Sequence, residues 1–236
     1  MRLITWNCQG AFRKKAEHIL HLKPDILIVQ ECEHTDKMDF DAFIHKPYNF
    51  HWYGDNHHKG IGIFSFAEYK FELLPQYNSK FRYILPFRVT SQEESFLLFA
   101  IWAMDSKENY KERYVGQIWL AIHHYAEMFA EPSILIGDFN SNTIWDRKER
   151  VGNHSDVVSK LSENNIHSIY HRHFNCEQGK EKHPTFYLHR SQLKPYHLDY
   201  CFASNSFLDK VQSIGIGKYE SWIAHSDHAP VMISFD

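Results

Sequence analysis

The sequence is poor in the features that mark whole classes of protein. Its 236 residues hold four cysteines, Cys8, Cys32, Cys176 and Cys201, with neither paired nor metal-type spacing. That excludes a disulfide scaffold or a zinc ribbon and suits reduced thiols in the cytoplasm. No apolar run approaches the roughly 18 residues of a membrane span, and no apolar loop suited to entering a bilayer is evident. The opening Met1-Arg2-Leu3-Ile4-Thr5-Trp6 has strand character from its second residue, leaving no room for a signal peptide. With 10 Gly and 8 Pro there is no Gly- or Pro-rich linker, and no internal repeat or low-complexity tract. A single domain over residues 1–236 is expected. The net charge of −3 gives no general basic signal for nucleic acid.

Other things are plentiful. Hydrophobic residues make up 43% and aromatics 16% of the chain, enough for a sizeable core without staples. There are 18 histidines; half of them protonated near pH 6.5 would carry the net charge from −3 to about +6.

The chemistry concentrates at the ends of apolar strands. In Ser133-Ile-Leu-Ile-Gly-Asp-Phe-Asn-Ser-Asn142 a buried strand stops abruptly, and Asp138 and Asn140, two apart, point to one side of an extended chain. Such a pair can hold a water, a metal or a phosphate, or simply close an Asx-type turn. Arg2–Trp6 is a strand running into Asn7, and Asp25–Gln30 is a second one ending at Gln30-Glu31. An amphipathic helix over Arg13–Leu22, stopped by Pro24, makes the pair a parallel crossover with Asn7 and Glu31 at one sheet edge.

Short, mainly antiparallel strands follow at Phe50–Tyr53, Gly60–Phe66, Tyr69–Leu74, Arg82–Thr90 and Ser95–Trp102. Helical spacing returns over Asn109–Phe129 and Asp156–Asn164. Cys176–His183 has the composition of a mobile surface loop. The last strands are Thr185–Leu188, His197–Ala203, Val211–Gly217 and Pro230–Phe235, with Asp199 inside His197-Leu-Asp-Tyr200 and the triplet Ser226-Asp227-His228 before the final one. The fold class is therefore mixed α/β.

Taken in order, Trp6-Asn7, Gln30-Glu31, Gly137-Asp-Phe-Asn140, Leu198-Asp-Tyr200 and Ser226-Asp-His228 span nearly the whole chain. With them the sequence resembles the endonuclease/exonuclease/phosphatase superfamily, the DNase I-like fold shared with apurinic/apyrimidinic endonucleases, sphingomyelinases and inositol-polyphosphate phosphatases. The resemblance implies a four-layer α/β sandwich, two packed mixed sheets with helices outside, and divalent-metal-dependent phosphoester hydrolysis. It implies Glu31 as principal metal ligand, with Asn7 and Asp227 in or near the coordination sphere. Asp138 would orient and deprotonate the attacking water, and Asn140 would donate to nucleophile or phosphate. His228 would face the phosphate opposite the metal, and Asp199 would hold its other N–H. Either Asp138 or the His228–Asp199 pair could be the general base.

The residues agree physically. Converging carboxylates at Glu31, Asp138, Asp199 and Asp227 would repel by about 4 kcal/mol per pair at ~4 Å and an effective dielectric near 20, so they require protons, hydrogen bonds or a cation. All-oxygen donors favour Mg2+ or Mn2+ over zinc. Cys8 and Cys32 adjoin site residues but face the other way on their strands, toward the core.

Two departures from the family pattern stand out. Gln9 occupies a spot where DNA-repair members carry Asp or Asn. The middle strand, Ala100-Ile-Trp-Ala-Met-Asp105, lacks the Asn-x-His or Tyr that many members place after it, leaving Tyr110 as a candidate replacement. For substrate, Arg13, Lys14 and Lys15, then Trp145, Arg147, Lys148 and Arg150, and Lys180 with Lys182 put cations and an aromatic on loops after the site strands. That footprint makes nucleic acid the leading expectation, with Arg147 and Trp145 as substrate contacts. A small phosphoester or phosphoinositide is the alternative, and a non-catalytic binding module on the same fold is a third.

Overall fold

Alternation with a period of two lets a strand serve two cores at once, and the main strands here do so. The coordinates are a computed structural model, which describes residues 1–106 and 109–236 and leaves out the Tyr110 side chain. The expectation attached to Tyr110 therefore lies outside the described residues.

In chain order the elements are β1 (Arg2–Asn7), α1 (Ala16–Leu20), β2 (Ile26–Cys32), β3 (Asn49–Asn56), β4 (Lys59–Ser65), β5 (Lys70–Leu73), β6 (Ile84–Thr90) and β7 (Ser95–Trp102). Then come α2 (Val115–His124), β8 (Ser133–Asp138), α3 (His154–Glu163), β9 (Ile166–Ser168), α4 (Ile169–Phe174), β10 (Phe186–Tyr187) and β11 (Pro195–Tyr196). The chain closes with β12 (Asp199–Ser204), α5 (Asn205–Leu208), β13 (Val211–Ile216), α6 (Tyr219–Trp222) and β14 (Val231–Phe235).

Two six-stranded mixed sheets result, ordered β13-β14-β1-β2-β4-β3 and β5-β6-β7-β8-β12-β9, beside a two-stranded β10-β11 ribbon. β1 and β2 are parallel, with Asn7 opposite Gln30, and β8 lies parallel to β7 and antiparallel to β12. One face of each sheet meets the other in a central core: Leu3, Ile26, Ile28, Ile61 and Ile63 against Phe87, Leu98, Ala100, Ile134, Ile136 and Cys201. The outer face of the second sheet (Leu97, Phe99, Leu135, Phe202) is covered by Ile118 and Ile122 of α2 and Val157 and Leu161 of α3. The outer face of the first (Ile4, Trp6, Leu27, Val29) is covered by Phe12, α1 and Trp222. These are the four layers the resemblance implies, and Cys8 and Cys32 are buried in the outer core as expected.

Several boundaries differ from expectation. The Arg13–Leu22 helix is a 3-10 turn at Phe12–Lys14 followed by the five residues of α1, because Lys15 takes a non-helical backbone while its ammonium donates to Cys8 O at 2.6 Å. The long Asn109–Phe129 helix breaks at Tyr114, whose positive φ of 49° ends any helical ladder and whose N–H goes to Met104 O. Residues 176–183 are tied down rather than loose. The Glu181 carboxylate is buried and accepts from His171 Nε2 at 2.9 Å, Gly179 N at 3.0 Å and Asn142 Nδ2 at 3.2 Å. Helix α4 and strand β9 are too short to show a period in their residues.

Candidate active site

The inner faces of the two sheets end in polar residues at the same edge. On β1 the inward series is Leu3, Thr5, Asn7; on β2 it is Ile26, Ile28, Gln30; on β8 it is Ile134, Ile136, Asp138; on β12 it is Asp199, Cys201, Ala203. Asp138 and Asp199 are directly opposite in register. Thr5 and Gln30 are fully buried beneath the pocket and satisfy one another at 2.9 Å.

Glu31 belongs by parity to the other face. The β2–β4 pairing slips between Gln30 and Cys32, and Glu31 takes a φ of 55° at that bulge. A bulge re-aims the side chain it carries; here Glu31 Oε1 comes 3.4 Å from Asn7 Nδ2. Gly137 serves a similar end. Its φ is +141°, and a Cβ there would lie 2.0 Å from Ile101 O and 2.8 Å from Gln30 Nε2.

Asp138 is the hub. Its carboxylate accepts from Asn7 Nδ2 at 3.0 Å, Asn140 Nδ2 at 3.0 Å and Asn140 N at 2.8 Å. Asn140 converges on it through a left-handed turn (φ 46°) rather than along an extended strand, and its amide also donates to Ala103 O at 3.0 Å. That last bond ties the hub to the middle strand, whose Ala103 stands where an Asn-x-His or Tyr was missed. Burial, reinforced by Asp199, holds the Asp138 carboxyl above the usual carboxylate range, although His228 and the two asparagines oppose the shift.

His228 donates from Nδ1 to Asp199 Oδ2 at 2.8 Å, while its Nε2 lies 3.9 Å from Asp138 Oδ2. Burial works against the imidazolium, but Asp199 and Asp138 outweigh it and raise the His228 pKa. The ring's position is set by its own backbone: His228 N donates to Ser226 Oγ at 3.1 Å, Ser226 Oγ to Asn7 O at 2.7 Å, and Trp6 Nε1 to His228 O at 3.0 Å. Asp199 is held by Thr185, whose Oγ1 accepts from Leu198 N and Asp199 N. Asp199 Oδ1 is buried with no hydrogen-bond partner among the described residues.

The remaining expected residues distribute around this centre. Asp227 Oδ2 accepts from Gln9 Nε2 at 2.9 Å, and Gln9 in turn accepts from Arg190. Glu31 carries an ion pair with Lys59. Asp138, Asp199 and His228 present donor atoms within 4.8 Å of one another. Glu31 and Asn7 meet beside this set, Asp227 is reached through Gln9, and the Lys59 ammonium balances the Glu31 charge.

Of the expected rim cations, Arg13 pairs with the buried Glu33 and is not a free cation at the rim. Arg147 and Lys148 line a groove of about 690 Å³ with Trp119, Lys111, Arg150 and Val151. Trp145 is 47% exposed and starts a row of rings: Trp145–Tyr196 at 5.1 Å, Tyr196–Phe186 at 6.4 Å and Phe186–His228 at 4.7 Å between centroids. Thr185, Phe186, Tyr196, Lys59 and Arg190 were missed at the sequence level. Only Thr185, at the head of an apolar stretch before Asp199, carried even a faint local signal.

A family model described as the endonuclease/exonuclease/phosphatase family matches residues 4–220. The chain belongs to that family. It is a phosphoester hydrolase by that membership. No curated protein matches the chain. Among solved structures it is similar to the 3' phosphatase NExo from Neisseria bound to product DNA hairpin (18% identity, TM-score 0.70, covering 100% of this chain and 99% of that one). It is also similar to an AP endonuclease from Archaeoglobus fulgidus (17%, TM-score 0.70, 100% and 99%) and to the APE2 catalytic domain from Xenopus laevis (14%, TM-score 0.71, 100% and 91%). The shared architecture is the DNase I-like pair of packed sheets.

Proposed function

We propose that the chain is a nuclease that cleaves phosphodiester bonds of nucleic acid with a divalent ion, Mg2+ or Mn2+, in a reducing compartment such as the cytoplasm. The observation that carries this reading is the buried Asp138–His228–Asp199 set, joined through Asn7 to Glu31 in one hydrogen-bonded network. Glu31, Asn7 and Asp227 supply oxygen donors suited to a hard cation. When bound, such an ion polarises the phosphoryl group and neutralises charge on its oxygens.

The protein's own part is positional and electrostatic. Asp138, steadied by Asn7 and Asn140, orients a water and takes its proton; its raised pKa suits a general base. His228, pinned at Nδ1 by Asp199, presents Nε2–H to the phosphoryl oxygens, and its raised pKa keeps that proton in place as negative charge develops.

The nucleic-acid substrate is supported by the ring row from His228 to Trp145, a surface on which bases stack, each for about 1–3 kcal/mol. Two of the similar structures bear on the same point, one bound to a DNA hairpin and one titled an AP endonuclease. The free cysteines, three of them buried, fit a reducing environment. The test is a panel of DNA, RNA, abasic DNA and inositol phosphates with Mg2+ or Mn2+. Turnover of a polynucleotide supports the reading. Turnover confined to inositol phosphates moves the substrate to the small-ester class, and inertness on the whole panel removes catalysis.

A further inference from the structure

Away from the acid pocket, a second group of side chains brings metal-type donors together. His34 lies just past β2, Asp36 two residues on, and His57 in the turn between β3 and β4, and their donor atoms fall within 4.8 Å of one another. Nothing in the hydrolytic reading uses them.

The backbone under these residues is fixed. His34 N donates to His57 O at 3.1 Å, which locks the two segments side by side. The His34 ring is held on one side by Trp52 (centroids 4.4 Å, 69°), itself anchored by Nε1 to Cys32 O at 3.0 Å. On the other side it stacks on His57 at 4.4 Å and 27°. His34 is thus set in place, while His57 and Asp36 are exposed. Asp36 Oδ2 sits 3.1 Å from His34 Nδ1, and the Asp36 N–H also points at that nitrogen. Asp36 thus reaches the same ring nitrogen through both its N–H and its carboxylate, which keeps the carboxylate beside the imidazole.

We propose that His34, Asp36 and His57 form a second metal site, for one Zn2+ or a similar N/O-preferring ion such as Co2+ or Ni2+. Two imidazoles and one carboxylate match the three-ligand zinc set with a fourth position left to water. They do not match the all-oxygen requirement of Mg2+ or Ca2+. Donors of a tetrahedral zinc with bonds of ~2.0–2.1 Å stand roughly 3.3 Å apart, and these donors already lie within 4.8 Å of one another, so binding draws the exposed His57 and Asp36 side chains in toward His34. Lys37, next to Asp36 in the chain, is engaged with His58 Nδ1 at 3.1 Å. A bound ion fastens the turn that ends in Lys59 to the segment leaving Glu31, so it stiffens the side of the pocket where Lys59 meets that carboxylate.

The test is a Co2+ titration of the full chain in millimolar Mg2+, following the visible ligand-field absorption, with Zn2+ as competitor. Wild type and His228→Ala should each show one site of equal affinity, displaced by Zn2+. His57→Ala should bind on the order of tenfold to a hundredfold more weakly. His57 is an exposed turn residue, so that variant folds, and circular dichroism verifies it. His34→Ala should give the same loss; if the lost Trp52 contact unfolds it, His57→Ala alone decides. Wild-type binding no tighter than that of His57→Ala, or binding abolished by His228→Ala and untouched by His57→Ala, overturns the proposal.

Discussion

Among the described residues, two three-residue clusters combine histidine and carboxylate within 4.8 Å, and they differ in what surrounds them. Asp138, Asp199 and His228 are buried at strand ends. Each is held by further hydrogen bonds, and burial together with mutual charge moves the pKa of Asp138 and of His228. His34 and Asp36 lie on the segment leaving β2 and His57 in the β3–β4 turn, with His34 half-buried and the other two exposed. The first is built to hold charge and protons at set positions. The second is built to capture an ion by closing around it. The same two residue types, two aspartates with one histidine in the first and two histidines with one aspartate in the second, differ in use because burial decides whether an ionisable group is tuned or merely available.

Breaking the buried cluster gives the largest effect. Asp138→Asn and His228→Ala should each lower kcat by about a thousandfold or more, with the far-ultraviolet spectrum unchanged. A rate within tenfold of wild type in either removes that residue from its role. Disturbing the platform beneath the cluster should appear as stability. Gly137→Ala forces a Cβ against Ile101 O and Gln30 in a backbone region hostile to alanine, for a loss of about 3 kcal/mol in urea unfolding. An unchanged midpoint would mean that the strand end relaxes freely.

Acid sharpens the contrast in another way. Burial holds His154 at a pKa of about 4, so the stability of its neutral form is complete above about pH 6.5 and drains away as pH falls toward 4. Burial works to raise the Glu181 carboxyl, but His171, Gly179 and Asn142 overcome it and hold it near 2; its contribution is complete above about 4.5 and is lost below that. Glu181→Gln should therefore cost about 2 kcal/mol at pH 7 and flatten the Tm profile below pH 4.5, whereas an unaltered acid limb would contradict this. The smallest effect belongs to the exposed cluster in the absence of zinc. His57→Ala should change stability by less than about 0.5 kcal/mol and leave turnover with Mg2+ alone within twofold.

How much of this could be read from residues alone follows from periodicity. Asn7, Asp138 and Asp199 continue inward-facing alternations that begin as Leu3, Ile134 and Ala203, so their convergence was legible once the strands were recognised. Glu31 breaks that parity, and only the bulge at its positive φ explains how it reaches Asn7. Thr185 under Asp199, the Phe186–Tyr196–Trp145 row and the Lys59–Glu31 pair depend on tertiary approach between distant segments and leave no spacing to detect. The same holds for His34 with His57, joined across a hairpin turn. Expected helices fell short where single residues took left-handed or irregular backbone, at Lys15 and Tyr114, for tertiary reasons invisible to helical periodicity.

Under the proposed function, the oxygen donors of Glu31, Asn7 and Asp227 gather a divalent ion for phosphodiester cleavage. The most direct test is turnover of a DNA or RNA substrate against Mg2+ concentration for wild type and Glu31→Gln. The account predicts saturable metal dependence in wild type and, in the variant, a requirement raised on the order of tenfold or more with a lower maximal rate. Cleavage that persists in a chelator, or identical metal curves for the two proteins, would contradict it.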